Sequence, residues 1–173
     1  MKIAVTGYSG SGKSTLAKRL SEEFGTPLLY LDSVNFKPGW EPRDRTEALD
    51  MVNEFMKNDS WVIDGNYNGF LQERRLEEAD RIIFMNFNRF SCFFRAFSRF
   101  RQYRGKVRES AAKGCYEKFD AEFARWILFE SRTPERRRAY REMCQKYRDK
   151  TVIIKNQREL SAFTENPRRF LRF

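Results

Sequence analysis

The sequence predicts an α/β fold in which a five-stranded parallel sheet is covered by helices on both faces. Three observations predict it. Short apolar or β-branched runs alternate with stretches of helical periodicity. A glycine-rich loop joins the first run to the first helix, and the second and third runs each end in an aspartate, at the edge where open parallel sheets gather their ligands. The 173 residues suit one domain, 1–173, and a composition of 40% hydrophobic and 16% aromatic residues excludes large-scale disorder.

The elements follow in order. Lys2-Ile3-Ala4-Val5-Thr6 is a β-branched run halted by Gly7 and reads as a buried strand. Leu16, Leu20 and Phe24 then repeat at spacing four, and Gly25 with Pro27 supplies a helix stop. Leu28 to Leu31 is the second strand, ending at Asp32. Pro38-Gly39 and Pro42 mark an irregular loop, after which Asp44 caps a helix carrying Leu49, Val52 and Phe55. Trp61-Val62-Ile63, ending at Asp64, is the third strand, Arg81 to Met85 the fourth, and Thr151 to Ile154 the fifth. Between the fourth and fifth the pattern is helical throughout: Phe90, Phe93, Phe94, Phe97 and Phe100 form an apolar stripe expected to be core, followed by Tyr116, Phe119, Phe123, Trp126 and Ile127, and then by Tyr140, Met143 and Tyr147. Residues 88–149 are therefore expected to form a mobile helical lid or substrate-facing subregion.

Composition narrows the chemistry. No histidine occurs, which excludes histidine-based triads, histidine-ligated zinc and histidine general bases and leaves carboxylates, lysine, arginine and backbone amides. Cys92, Cys115 and Cys144 form no CxxC pair and fit a reducing compartment. The N-terminal apolar run is too short for a secretory segment, and no uncharged stretch reaches the ~18 residues of a membrane span, so a cytoplasmic protein without a membrane partner is expected. The net charge of +10 is uneven: residues 1–88 carry −3 and residues 89–173 carry +13. Such a basic half meets something anionic, whether nucleotide phosphates, a nucleic acid or an acidic membrane surface. Oligomeric state is not legible from the chain.

Gly7-Tyr8-Ser9-Gly10-Ser11-Gly12-Lys13-Ser14-Thr15 matches GxxxxGK[ST] between a predicted strand and a predicted helix, the setting a phosphate-binding loop requires. Glycines let successive backbone N–H groups curl around an anion at the positive end of a helix. Gly7, Ser9, Gly10, Ser11, Gly12, Lys13, Ser14 and Thr15 are the expected ATP-binding residues, with Lys13 reaching the β and γ phosphates and Ser14 coordinating Mg²⁺. Asp64, at the end of a neighbouring strand, is placed to hold the metal or its water shell. Asp32 can accept a proton from a substrate hydroxyl or bind a metal-bound water.

With these residues in hand, the chain resembles the adenylate kinase-like P-loop kinases over nearly its whole length. The resemblance implies a three-layer P-loop NTPase-type sandwich, Mg·ATP as ligand and transfer of its γ-phosphoryl group to a small acceptor. More narrowly, Leu31-Asp32-Ser33-Val34-Asn35-Phe36-Lys37-Pro38-Gly39-Trp40 and Trp61-Val62-Ile63-Asp64-Gly65-Asn66-Tyr67 look like the bacterial topology modulation, or FlaR-related, proteins. In the kinase pattern two arginines four residues apart follow the fourth strand and contact phosphate. Arg95 and Arg99 match it, although their face, opposite the phenylalanines, also reads as a solvated basic one. Arg132 and Arg136 are the nearest candidates for arginines of the closing lid. One departure bears on the acceptor: nucleoside monophosphate kinases carry Asp-Gly-Phe-Pro-Arg where this chain has Asp64-Gly65-Asn66-Tyr67. Asp32, Arg43 and Asn66 are the expected acceptor-binding residues, Arg45 and Arg74 are further candidates for a phosphate contact, and a hydroxyl acceptor approached by Asp32 is equally allowed. The alternative function is a nucleic-acid-binding regulator with ATP as a switch, supported by the arginines interleaved with aromatics from Arg89 to Arg108.

Overall fold

The computed structural model describes residues 1–112 and 114–171. In chain order the elements are β1 (Lys2–Gly7), α1 (Lys13–Phe24), β2 (Leu28–Tyr30), α2 (Leu31–Asn35), β3 (Phe36–Lys37), β4 (Glu41–Pro42), α3 (Arg45–Phe55), β5 (Trp61–Asp64), α4 (Gln72–Glu78), β6 (Arg81–Met85), α5 (Arg89–Tyr103), α6 (Ala121–Leu128), α7 (Pro134–Lys146), β7 (Thr151–Ile154), α8 (Gln157–Glu165) and α9 (Pro167–Leu171). Among the described residues one sheet is five-stranded and parallel in the order β2-β5-β1-β6-β7, the fold class expected from the alternation of strands and helices.

β1 is central and buried on both faces. Ile3 and Val5 join Val62 in one core, packed with Leu16, Ala17 and Leu20 of α1 and with Cys92 and Ala96 of α5. Ala4 joins Trp61 and Ile63 in the other, with Val34, Ala48, Val52 and Leu76 from α2, α3 and α4. The period-two alternation of a strand thus divides the helices between two layers. Local signals set the ends: Asp44 accepts from the N–H groups of Thr46 and Glu47 at 2.9 and 3.0 Å, Asn88 accepts from Ser91, and Gly25 closes α1 in the left-handed conformation, φ 59°.

Five expectations are corrected. β2 stops at Tyr30, and Asp32 lies in the first turn of α2, because Leu31 and Val34 are both buried and at helical spacing. The Pro38–Pro42 loop is a tight hairpin, β3 pairing with β4. A helix, α4, occupies residues between the third and fourth predicted strands, where none was expected. The stretch from β6 to β7 is not helical throughout: residues 104–112 and 114–120 form an irregular closing segment with, among the described residues, one antiparallel bridge, Val107 to Tyr116, punctuated by Gly105 and Gly114 at positive φ. Finally, much of the phenylalanine stripe is not core. Phe90 and Phe94 are 63% and 65% exposed and Phe97 is exposed as well, while Cys92 and Ala96 carry the buried face of α5. Among the described residues no helix is long and apolar enough to cross a membrane.

Candidate active site

The site forms where β1 and β5 end side by side, with Val5 in register with Asp64. The loop leaves β1 at Gly7 and enters α1 at Lys13, so its backbone lies at the N-terminus of a twelve-residue helix. Gly10, at φ +79°, passes directly over α5; a Cβ there would strike the Cys92 carbonyl oxygen and press on Ala96. Small residues at 92 and 96 are therefore what let the loop seat on this helix.

Asn66 fastens the start of the loop. Its Oδ1 accepts from Thr6 Oγ1 at 2.6 Å and from Gly7 N at 2.9 Å, and its Nδ2 donates back to the Gly7 carbonyl. All three bonds join the end of β5 to the end of β1, so Asn66 is committed to the loop rather than turned toward an acceptor. Arg75, fully buried on α4, donates to the carbonyls of Phe70 and Tyr67 at 2.6 and 2.8 Å and fixes the turn that follows.

Lys13 bends back over the loop, its Nζ donating to the Tyr8 carbonyl at 3.1 Å. Burial pulls its pKa down, and the charges of Asp64 and Asp32 pull it up. Asp64 is buried, and burial pushes its carboxyl up to about 6 against the opposing pull of Lys13 and of the Ser14 hydroxyl. Its Oδ1 is buried without a hydrogen-bond partner, as is Ser11 Oγ. A buried, unsatisfied carboxylate oxygen beside a hydroxyl and the loop is a hard-oxygen donor set that fits Mg²⁺, an ion that retains waters and needs few protein ligands. Across the site, Asp32 Oδ1 accepts from the Tyr67 hydroxyl at 2.8 Å, and burial followed by the Asp32 charge raises the Tyr67 pKa.

The arginines divide. Arg95 and Arg99 face inward, not to solvent. Arg95 donates to the Ser11 carbonyl of the loop at 2.7 Å and to Gln157 at 2.7 Å, and lies over the Phe87 ring. Arg99 binds Glu117 Oε1 through Nε at 2.7 Å and Nη2 at 2.6 Å, and its field reaches both Asp32 and Lys13. Arg132 is buried behind the loop, donating to the Phe87 carbonyl at 2.7 Å with its guanidinium 3.7 Å from the centre of the Tyr8 ring. Arg136 is exposed over Trp126. Arg43 is held by the Val34 carbonyl and Glu47, and Arg74 by Glu78 and Asn53. Two further residues join the site from the closing segment: Arg108, which the sequence reading places only in the basic-aromatic run of the nucleic-acid alternative, and the buried Glu117, which it misses. In the sequence Glu117 is one of three acids, with Glu109 and Asp120, in a stretch rich in cations, and nothing local sets it apart.

A family model described as an AAA domain matches residues 3–123. The chain belongs to this AAA domain family. The matched stretch contains the loop, Asp32, Asp64, Arg95, Arg99, Arg108 and Glu117, and it ends before Arg132 and Arg136. No curated protein matches the sequence. Among solved structures, an uncharacterized protein from Eubacterium ventriosum is similar at a TM-score of 0.52 and 15% identity, covering 99% of this chain and 98% of that one. Shikimate kinase from Bacteroides thetaiotaomicron is similar at a TM-score of 0.54 and 17% identity, covering 100% and 99%. The AAA domain of this chain therefore has a P-loop kinase-like fold from end to end.

Proposed function

We propose that the protein is an ATP-dependent phosphotransferase of the adenylate kinase-like class that moves the γ-phosphoryl group of Mg·ATP to the hydroxyl of a small acceptor. The observation that carries this reading is the unpaired Asp64 oxygen beside Ser14 and the loop, with Asp32 and Tyr67 on the acceptor side. The loop amides and Lys13 hold the β and γ phosphates, and Arg95 and Arg99 bring positive charge to the same edge. Ser14 and Asp64 would hold Mg²⁺, which when bound neutralises charge developing on the phosphoryl oxygens. Asp32 orients the acceptor hydroxyl and takes its proton, while Tyr67 keeps Asp32 in place. The O–P bond to the acceptor forms as the bond from the γ-phosphorus to the bridging oxygen breaks, leaving ADP.

The hydroxyl acceptor follows from where the other arginines go. Arg43 and Arg74 are already paired, and Arg45 lies against Gly69, so those cations do not converge on the acceptor side as a phosphate-bearing acceptor would require. The fold shared with a protein named shikimate kinase is in keeping with a kinase. The stretches 31–40 and 61–67 keep the narrower likeness to the topology modulation proteins, and three free cysteines suit the cytoplasm.

One observation favours a second reading, the nucleic-acid-binding regulator: Phe90, Phe94 and Phe97 are exposed along α5, with Arg101 exposed in its last turn and Arg104 just beyond it, as stacking and cationic groups of a single-strand binder would be. A radiolabelled-ATP screen across nucleosides, nucleoside monophosphates and hydroxyl metabolites separates the two. We expect one transfer product, on a hydroxyl compound, and weak nucleic acid binding near physiological salt. Tight single-strand binding with a salt slope of about −0.7 per phosphate, and no acceptor better than water, decides for the regulator.

A further inference from the structure

Glu117 is the least exposed acid of the closing segment, its side chain 3% accessible, and it binds two arginines at once. One, Arg99, sits on α5, whose place is fixed by the core. The other, Arg108, belongs to the closing segment itself. Oε1 takes Nε and Nη2 of Arg99, and Oε2 takes Nε of Arg108, whose Nη1 continues to Ser110 Oγ at 2.8 Å. Two guanidinium groups so close repel one another, the more strongly for being partly withdrawn from water, and a shared carboxylate offsets that repulsion. The grip uses one edge of Arg99 and leaves its Nη1, among the described residues, without a hydrogen-bond partner, while the fields of Arg99 and Arg108 extend to Asp32 and Asp64 respectively.

The segment is seated at two further places. Trp40 of the β3–β4 hairpin donates its indole N–H to the Tyr116 carbonyl at 2.9 Å and its backbone N–H to Cys115 Sγ at 3.3 Å. Lys18 of α1 pairs with Glu109. The contacts of residues 104–112 and 114–120 with the hairpin and α1 therefore coexist with the meeting of Arg99, Glu117 and Arg108.

We infer that Glu117 is a positioning residue: by bridging Arg99 and Arg108 it delivers both cations to the phosphates only when residues 104–112 and 114–120 are seated on the 36–42 hairpin. This rests on the phosphotransferase reading for its catalytic consequence but not for its structural one. The rival role for the same carboxylate is a plug that occupies the arginines in place of phosphate and must leave before ATP binds.

Glu117→Gln tests the assignment through a split between kcat and KM and through hydrogen exchange. The expected result is a loss in kcat of about 10²-fold, the scale of one misplaced charge stabiliser, with KM for ATP little changed. Arg108→Ala should lose part of that factor, and Arg108→Ala combined with Glu117→Gln no more than Glu117→Gln alone, because without the carboxylate Arg108 is already misplaced. A plug predicts the opposite, tighter ATP binding without loss of turnover, and that result overturns the assignment. Independently of any transfer reaction, amides of residues 104–120 should exchange faster in nucleotide-free Glu117→Gln while those of β1 and α1 stay protected. Unchanged protection of the segment overturns the coupling even if phosphotransfer is real, and loosened protection with no transfer by the wild-type chain would sink the phosphotransferase reading while leaving the coupling standing.

Discussion

The phosphate-binding loop and helix α5 touch where Gly10 crosses the Cys92 carbonyl, yet they obey different rules. In the loop, residue type and role agree: glycines where the backbone must turn, a lysine beside the anion site, a hydroxyl and a carboxylate where a hard cation would sit. In α5 they are inverted. Its inward face carries Cys92, Ala96, Arg95 and Arg99, and its outward face exposes Phe90, Phe94 and Phe97. The difference teaches that hydrophobic periodicity marks which residues share a face but not which way that face points when a polar site competes for the interior. Drawing Arg95 and Arg99 partly out of water is possible because each finds a partner, the Ser11 carbonyl and Glu117, and the surface they would have covered is left to phenylalanine.

The largest effect that could break this comparison is catalytic. Lys13→Ala should cost roughly 10²- to 10³-fold in phosphoryl transfer and Arg99→Ala roughly 10²-fold, whereas Phe94→Ala should leave turnover within about twofold. Steady-state rates with the acceptor found by screening check this; a Phe94 loss as large as that at Arg99 would mean that the outward face is the working one.

Next in size is the response to Mg·ATP. At about 100 times Kd, ligand linkage stabilises by ~2.7 kcal/mol, or roughly 5 to 10 °C in melting temperature for a domain of this length. Asp64 ties that response to pH. Its folded pKa, about 6, lies above the ordinary 3.8, so the native state holds the extra proton and this group's contribution to stability is full below about pH 4 and lost as pH rises through 6. A bound cation needs the ionised form, so the melting shift produced by Mg·ATP should shrink as pH falls below 6, and Asp64→Asn should remove that pH dependence. Differential scanning calorimetry between pH 5 and 8 measures both, and an identical pH profile in Asp64→Asn would take Asp64 out of the metal site.

The smallest effect sharpens the packing half of the comparison. Cys92→Leu, which adds volume to a fully buried position beside Arg132, should destabilise by about 1 to 3 kcal/mol, while Phe94→Ala, which deletes a whole ring, should stay within about 0.5 kcal/mol. Urea melts of the two variants decide it; the reverse ranking would return the phenylalanine stripe to the core.

The loop, the five sheet strands and Asp64 were legible because each is written in a contiguous stretch whose physics is local: a β-branched run, a glycine-rich turn, an acid at a strand end. Asp32 was found but misplaced, since Leu31 and Val34 satisfy a short helix as well as a strand end and only packing on α3 decides between them. Asn66 lay in the right stretch, but its hold on the loop was not legible, because its bonds run to Thr6 and Gly7, about sixty residues away. The pairing of Glu117 with Arg99 and Arg108 was illegible for the same reason in a stronger form: the chain gives three acids and several cations in an irregular segment, and nothing in their spacing says which acid meets Arg99. Arg132 and Arg136 entered as the nearest candidates for the lid arginines that the resemblance implies, and their place in the sequence does not tell that one stacks on Tyr8 behind the loop and the other on Trp126 at the surface.

Cys92 was introduced as a packing residue, but its thiol also has a reactivity. Burial pushes its pKa up, Arg132 donates to its Sγ at 3.3 Å, and the loop lies over its backbone at Gly10. Only thiolate reacts with alkylating reagents, and only where they can reach it. The half-buried Cys144 on α7 has no such cover. The rate at which Cys92 is labelled, read against Cys144, therefore counts how often the core around Cys92 and Arg132 opens to solvent.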